Sequence, residues 1–581
     1  MDTQRAFLAV IISFIILIGY QYLFMPARAP VPPKQGTQAQ NTQQNREAAA
    51  PGGNSAVQQE NRKNTPTAAS EAPSPTSSPA AAVQAVQPDP TARDITVETP
   101  LYTAVLSEQG GGLKSFILKK YRTAKEEDAP SMEMVTTSNP AELPMIFSLN
   151  NGTEMDLLRF TADTVSLQVL EGGKGELLMR TPREDGITVE RRLTFNADSY
   201  LIDSVYTVSN TGSAPLQISP AMVMTNAPFK SGSADGHYMF SGPNAYVNGK
   251  LEQVKAKKLA EGPASLQGTV RWAAHVDNYF MSALVPEQNT VSLVTFTSVP
   301  LTGKEQEKVR TVLSSGIISL APGETKDFRY EGYFGPKKLA YLKKTGYDLA
   351  GAINFGWFDI LAKPMLYLLN FFYSILGNYG IAIILLTCLV KGSFWPITQK
   401  GMKSMKNMQK LQPKVAKLRE KYKDDPVKMN QEMMAMYKTY KVNPVGGCLP
   451  MLIQIPFFFA LYRVLMAAIE LRHAPFMLWI DDLSAPDRLM IGFDIPVLHG
   501  IPVLTILMGI SMYLQQKMTP TTADPTQAKV MQFLPVIFTV MFVNFASGLV
   551  LYWFVNNLLS ILQQQLINRQ TGGNNRTAAA A

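Results

Sequence analysis

One lysine stands where a charge is expensive. Lys391 lies inside the apolar run IAIILLTCLVKGSFWP (381–396), and none of the other apolar segments offers it a carboxylate. A charge at the middle of a bilayer costs about 2.5–3.5 kcal/mol on insertion scales, so such a residue is read first as a functional site. Snorkelling to the surface is the plainer reading. Helix geometry leaves roughly 13–15 Å between Lys391 and either Ile381 or Lys400, whereas a four-carbon stem reaches only about 6 Å. Lys391 is therefore expected to face a wet cavity and to meet a partner from outside this chain. Thr387 stands one turn earlier on the same helical face, Gln454 lies within LIQIP, and Asn556 and Asn557 lie in the last apolar run. Singly, each reads as a helix–helix hydrogen bond. Together with a lysine they read as the lining of a polar groove. Arg463, near the end of its run, reads as an interfacial anchor.

Nothing else in the chain suggests covalent chemistry. GxSxG, HExxH and Walker-type loops are missing, and no two apolar runs each carry an Asp. The four histidines are scattered, and the two cysteines, Cys388 and Cys448, fall in or beside apolar runs. No metal site, cofactor, disulfide framework or enzyme is expected.

The elements that must position Lys391 are segregated along the 581 residues. Residues 5–25 form an apolar stretch long enough for one membrane crossing and lack a cleavage-like ending, which reads as a signal anchor. Residues 26–93 are rich in Pro, Ala, Gln, Ser and Thr, with eleven prolines, and read as a disordered linker. Residues 94–335 alternate in short runs such as GITVERRLTF and YLIDSVYTVSN between Gly, Asp and Asn turns, the pattern of a large all-β sandwich. Residues 353–376 read as an amphipathic helix in the outer interface. Spans are expected at 379–399, 445–469, 495–516, 530–546 and 547–568, which with the anchor makes six, followed by a short tail at 569–581.

The net charge of +9 is localised. Between Gln399 and Asn443 there are twelve Lys or Arg against four acidic residues, while 470–494 holds five acidic residues against Arg472 and Arg488. The basic loop marks the cytoplasmic side, so both termini are expected inside and the β domain outside. That loop carries no nucleic-acid motif, and no nucleic-acid partner is expected. In residues 400–443 its apolar residues recur at helical spacing: Met402, Met405, Met408, Leu411, Val415, Leu418 and Tyr422, then Met429, Met433, Met436, Tyr437 and Tyr440. Asp425 and Pro426 between them supply an N-cap and an N1 proline. The spacing predicts a helical hairpin, read either as two helices packed on each other or as a Met-lined surface for varied apolar segments.

Three stretches carry a family likeness: KVNPVGGCLPMLIQIP (441–456), GLVLYWFVNN (548–557), and Lys391 ahead of Gly392 and Pro396. Their order resembles the YidC-type membrane protein insertases, and so does the succession of signal anchor, large periplasmic domain, five-helix core and cytoplasmic hairpin. The resemblance implies a bacterial inner-membrane protein whose β domain is a supersandwich, a shape shared with sugar-binding folds. It implies an insertase and chaperone that acts alone or with the Sec translocon. Its partners would be nascent inner-membrane proteins, ribosomes and membrane lipids. It implies a hydrophilic groove open to cytoplasm and lipid, with Lys391 where arginine is usual. By position, Thr387, Phe458, Met508, Met541 and Trp553 match the family's substrate path, the last four as a hydrophobic slide. Trp553 stands where tyrosine is common. Hairpin contacts with incoming chains are expected at Met405 and Met433. Two rival readings remain: a secondary transporter of a small anion bound at Lys391, and a periplasmic carbohydrate-binding module on an anchor.

Overall fold

The computed structural model describes residues 86–152, 157–182, 186–229, 240–299, 308–423, 425–440, 449–492, 498–518 and 525–577. The expected signal anchor at 5–25 and most of the 26–93 linker lie outside the described residues.

The polar first part folds as β-sheets. A nine-stranded sheet is centred on Leu201–Asn210 and Thr325–Pro336, which pair antiparallel from Leu201 opposite Tyr333 to Ser209 opposite Thr325. The sequence alternation becomes burial alternation: Leu201–Asn210 runs half-buried, buried, half-buried along its whole length. A five-stranded sheet covers one face of it, with Phe147 stacked on Tyr206 at 4.3 Å. A second five-stranded sheet adds Tyr102 and Phe116, stacked at 4.2 Å, and Phe116 reaches Phe334 at 5.4 Å. Arg191 is wholly buried between these layers, where it donates to Ser204 Oγ and to the Gly111 carbonyl and lies 4.9 Å from the Tyr206 ring centre.

His275 is an unsatisfied member of this core. It stands opposite Ser282, is 3% exposed, and neither ring nitrogen has a hydrogen-bond partner. Burial pushes its imidazole from the ordinary 6.5 down to about 4. The unfolded chain therefore takes up a proton near pH 6.5 that the folded domain refuses until about pH 4. Stability from this residue is complete above pH 6.5 and is lost as pH falls across that window, by about 3 kcal/mol in all. Thermal unfolding of the full chain from pH 7 to 4 should show the β domain losing Tm, and His275→Asn should flatten that slope. An unchanged slope would assign the acid sensitivity to other groups.

The second part is helical: α1 (Asp359–Leu376), α2 (Tyr379–Ser393), α3 (Trp395–Lys421), α4 (Pro426–Thr439), α5 (Leu449–Ala467), α6 (Val503–Met518), α7 (Pro525–Phe542) and α8 (Ser547–Thr577). Several expected boundaries move. The apolar run at 379–399 is not one helix: α2 and α3 meet at Phe394 and are bent by 63°. Pro396 disfavours helix at the residue before it and suits the first turn of a new one. The α3 helix then runs on unbroken into the hairpin, so the hairpin has no separate start near residue 400. In the described part of the segment expected at 495–516, from residue 498 on, helix begins at Val503, after Gly500 and Pro502, with Leu489 bridged to Ile501. Residues 441–448, the start of the expected 445–469 segment and of its motif, lie outside the described residues. Asp425 caps α4 by accepting from the Lys428 N–H at 3.0 Å, with Pro426 in the first turn.

Among the described residues no single helix is long and apolar enough to cross a membrane, and the bent pair α2 and α3 passes that test together. The helices nevertheless present large apolar side chains outward. Trp357 is fully exposed, Ile360 is 85% exposed, and Val540 on α7 is 71% exposed. On α1 the opposite face, Ala362, Met365, Leu366 and Leu369, is buried, so this helix is apolar on both sides. Exposed apolar surface on that scale marks contact with something other than water.

The two parts touch. Arg472, just after α5, donates to the carbonyls of Arg122 and Thr123 at 2.7 and 3.0 Å, and Lys125 pairs with Asp481 at 2.6 Å. The 470–492 segment also seals against the helices. Phe476 packs so tightly on Gly380 that a Cβ there would sit 1.9 Å from the ring. Ser547, at the start of α8, donates to the carbonyl of Asp482 at 2.7 Å.

Candidate functional site: a polar file beside Lys391

Helix α8 is apolar in its first half and increasingly polar toward its end. Asn556, Ser560 and Gln563 follow one another at spacings of four and three, so they share one face and cover about 10 Å of helix. That face lies against α2, the start of α3, and α5. Lys391 Nζ donates to Ser560 Oγ at 2.7 Å and to Asn556 Oδ1 at 3.2 Å. Gln454 Nε2 on α5 reaches the same Asn556 oxygen at 3.4 Å. One turn on, Gln563 Nε2 donates to Thr398 Oγ1 at 2.7 Å. Ser560 in turn donates to the Asn556 carbonyl at 2.7 Å.

Three residues singled out from sequence thus meet at one oxygen: Lys391, Gln454 and Asn556. Lys391, expected to meet a partner from outside the chain, also has partners within it. Lys391 is only 6% exposed, and α8 supplies both of its partners. The reason is register: Asn556 and Ser560 sit one turn apart on the α8 face that packs along α2. Both partners are uncharged. Hydrogen bonds from a charged donor to such acceptors are worth about 1.5–3 kcal/mol each.

Thr387 does not join. It is 1% exposed, and its hydroxyl donates to the Ile383 carbonyl of its own helix at 2.7 Å, the local bond a helical threonine makes by default. Asn557 turns the other way, to Ser511 Oγ on α6 at 3.1 Å. Sequence reading missed Ser560, Gln563, Thr398 and Ser511. The 4–3 spacing of Asn556, Ser560 and Gln563 was the signal for the first two.

The aromatic side of the core lies between α5, α7 and α8. Phe458 and Trp553 meet edge to face at 4.9 Å, and Trp553 also contacts Phe542 at 4.7 Å and Phe538 at 5.8 Å. Phe458, Met541 and Trp553 are half-buried at the edge of this core. Met508 differs from the expected surface position: it is fully buried. Helix α6 approaches α7 so closely at Gly509 that a Cβ there would lie 2.0 Å from Thr539 Oγ1. That approach leaves the neighbouring Met508 inside.

In the hairpin, Met408 and Leu411 are buried with Tyr437 packed against them, and Met405 and Met433 are half-buried. The methionine face is therefore largely the seam between α3 and α4. Met434, 52% exposed, points away from it.

Comparison with known proteins agrees with this division into two parts. A family model described as the YidC periplasmic domain matches residues 94–368, and one described as the 60Kd inner membrane protein matches residues 371–574. The membrane protein insertase YidC of Syntrophobacter fumaroxidans is 44% identical over 487 residues, 83% of this chain and 87% of that one. The YidC of Geobacter metallireducens is 42% identical over 569 residues, 97% and 98% of the two chains. A crystal structure of an active YidC insertase with its first transmembrane domain resolved aligns over 82% of this chain and 92% of that chain, at 20% identity and a TM-score of 0.35. A galactose mutarotase-like protein from Lactobacillus casei aligns over 42% of this chain and 99% of its own, at 13% identity and a TM-score of 0.30. On the two family models and the full-length identities, the chain belongs to the YidC-type membrane protein insertases, an inner-membrane family with a periplasmic domain.

Proposed function

We propose that this chain inserts and folds inner-membrane proteins by admitting the polar flank of a client segment to the file beside Lys391 while the client's apolar helix passes into lipid along Phe458, Met541 and Trp553. The observation that carries the reading is a buried cation whose hydrogen-bond partners, Asn556 and Ser560, are both neutral. Such a charge attracts an acidic flank without first having to break an internal ion pair. A polar route lowers the barrier because unsatisfied polar groups in hydrocarbon cost several kcal/mol each. The driving force is transfer of the client's apolar helix into lipid, helped by the membrane potential for acidic flanks. It involves no bond-making chemistry.

In this reading the helices form the five spans of a groove-bearing core with an anchor span before them, and the β domain is a periplasmic supersandwich. Both termini and the α3–α4 hairpin are cytoplasmic. The basic hairpin receives nascent chains from ribosomes, and the core works alone or beside the Sec translocon, in contact with membrane lipids.

Photocrosslinkers test the lipid route. Probes at Phe458, Met541 and Trp553 should label a client's transmembrane helix during insertion, with adducts that vanish on release. Probes at Met508, which is buried, and at Phe14 in the anchor should label several-fold less. Equal labelling at all five positions would mean only that the helices share a bilayer, and the route would then be without support.

A further inference from the structure

The α3 side of the polar file is closed. Lys391, Thr398, Ser560 and Gln563 are 6%, 5%, 3% and 0% exposed, while Asn556 and Gln454 are half-buried, so the amine of Lys391 is reached by a client flank only after something moves. Side-chain bonds join α3 to α8 both in the buried file and on the exposed side. Gln563 Nε2 donates to Thr398 Oγ1 at 2.7 Å in the buried file, and Lys406 Nζ donates to Asn568 Oδ1 at 3.2 Å on the exposed side. Gln563 Nε2 also lies 3.4 Å from the Trp395 carbonyl, in the first residue of α3. Thr398 and Gly401 form the buried stripe of α3 along this contact. The corner itself is braced separately, by Phe394 packed edge to face on Phe457 at 4.8 Å.

A second observation singles out Gln563. Its Oε1 is buried and has no hydrogen-bond partner, although its Nε2 is fully used. A fully buried amide with one end unsatisfied is held at a cost. That cost is relieved once the file opens and water or a peptide N–H reaches the oxygen.

The geometry points to Gln563 and Thr398 as a latch. Their hydrogen bond holds the first two turns of α3 against α8 and closes access to Lys391, and its release turns Lys391, Ser560 and the free Gln563 oxygen toward the hairpin end of the bundle. Gln563 is thus a positioning residue for client entry. The inference deepens the proposed function and rests on Lys391 being the residue a client flank must reach.

Site-resolved acetylation reads access without any client. Full-length protein in inverted inner-membrane vesicles is treated with a membrane-impermeant acylating reagent, and the rate at Lys391 is followed by mass spectrometry relative to exposed Lys410. Thr398→Val keeps the shape and removes the hydroxyl, and Gln563→Met removes the amide. Each should raise the relative rate at Lys391 by roughly three- to tenfold, the effect of losing one net hydrogen bond. Thr398→Ser should stay at the parental rate. The double variant Thr398→Val with Gln563→Met should rise no further than Gln563→Met alone, because that variant already removes the bond that Thr398→Val breaks. Unchanged rates in both singles, additive effects in the double, or Thr398→Ser behaving like Thr398→Val would each overturn the latch. Because the assay contains no client, a failed latch is distinguishable from a failure of the insertase reading, which appears only in client insertion.

Discussion

Lys391→Glu should abolish complementation of a strain depleted of its own insertase, Lys391→Ala should support it poorly, and Lys391→Arg should retain it. The order follows from the site. Arginine keeps the charge and can still donate to Asn556 Oδ1 and Ser560 Oγ, the two acceptors that hold the lysine. Alanine removes the charge and leaves those acceptors to each other or to water. Glutamate places an anion where an acidic flank must come, next to two oxygens that had been accepting. A charge of the wrong sign in a low-dielectric site is worth at least the roughly 2.5–3.5 kcal/mol of a mid-bilayer charge, on the order of a hundredfold in client entry. Full growth on Lys391→Glu would remove the charge from the mechanism.

Deleting residues 403–440 should reduce insertion of ribosome-delivered clients by tenfold or more while the core stays folded. The cut falls beyond Thr398 and Gly401, the α3 residues buried against the bundle, and it removes the exposed bond from Lys406 to Asn568 of α8. What it takes away is the basic hairpin and its small seam of Met408, Leu411 and Tyr437. Two buried residues and one partner ring make a weak interface, so the seam can part and present its methionines to an apolar chain. Crosslinkers at Met405 and Met433, half-buried at rest, should then capture nascent chains only while ribosomes are bound. Retention of a protease-resistant core with normal insertion in the deletion protein would reduce the hairpin to a connecting loop.

Different parts of the molecule were legible in the sequence to different degrees. The β domain announced itself because two-residue alternation is a local signal, as in Leu201–Asn210. Its sheet order did not. Strands that pair there are far apart in the chain: Thr207 bonds to Asp327, 120 residues away, and nothing local encodes that meeting. In the helical part, Lys391, Gln454 and Asn556 stood out because each is polar in an apolar run, and the fold brings all three to one oxygen. Thr387 stood out for the same reason, yet its own helix satisfies it. Ser560 and Gln563 were passed over because they lie toward the polar end of their segment, where serine and glutamine are unremarked. Hydropathy alone ran α2 and α3 together, although Trp395 and Pro396 mark the corner. Met508 was assigned a surface by position in the family motif, and the close approach at Gly509 decided otherwise.

The most direct measurement of the central claim is protease mapping of a small inner-membrane protein with a short acidic translocated tail, in cells where the parental chain or Lys391→Glu is the sole insertase. The parental chain should carry the tail across, so that external protease clips it. Lys391→Glu should leave it protected inside, and recoding the tail's acidic residues as neutral ones should narrow the gap between the two. Equal translocation of the acidic tail by both proteins would contradict the account.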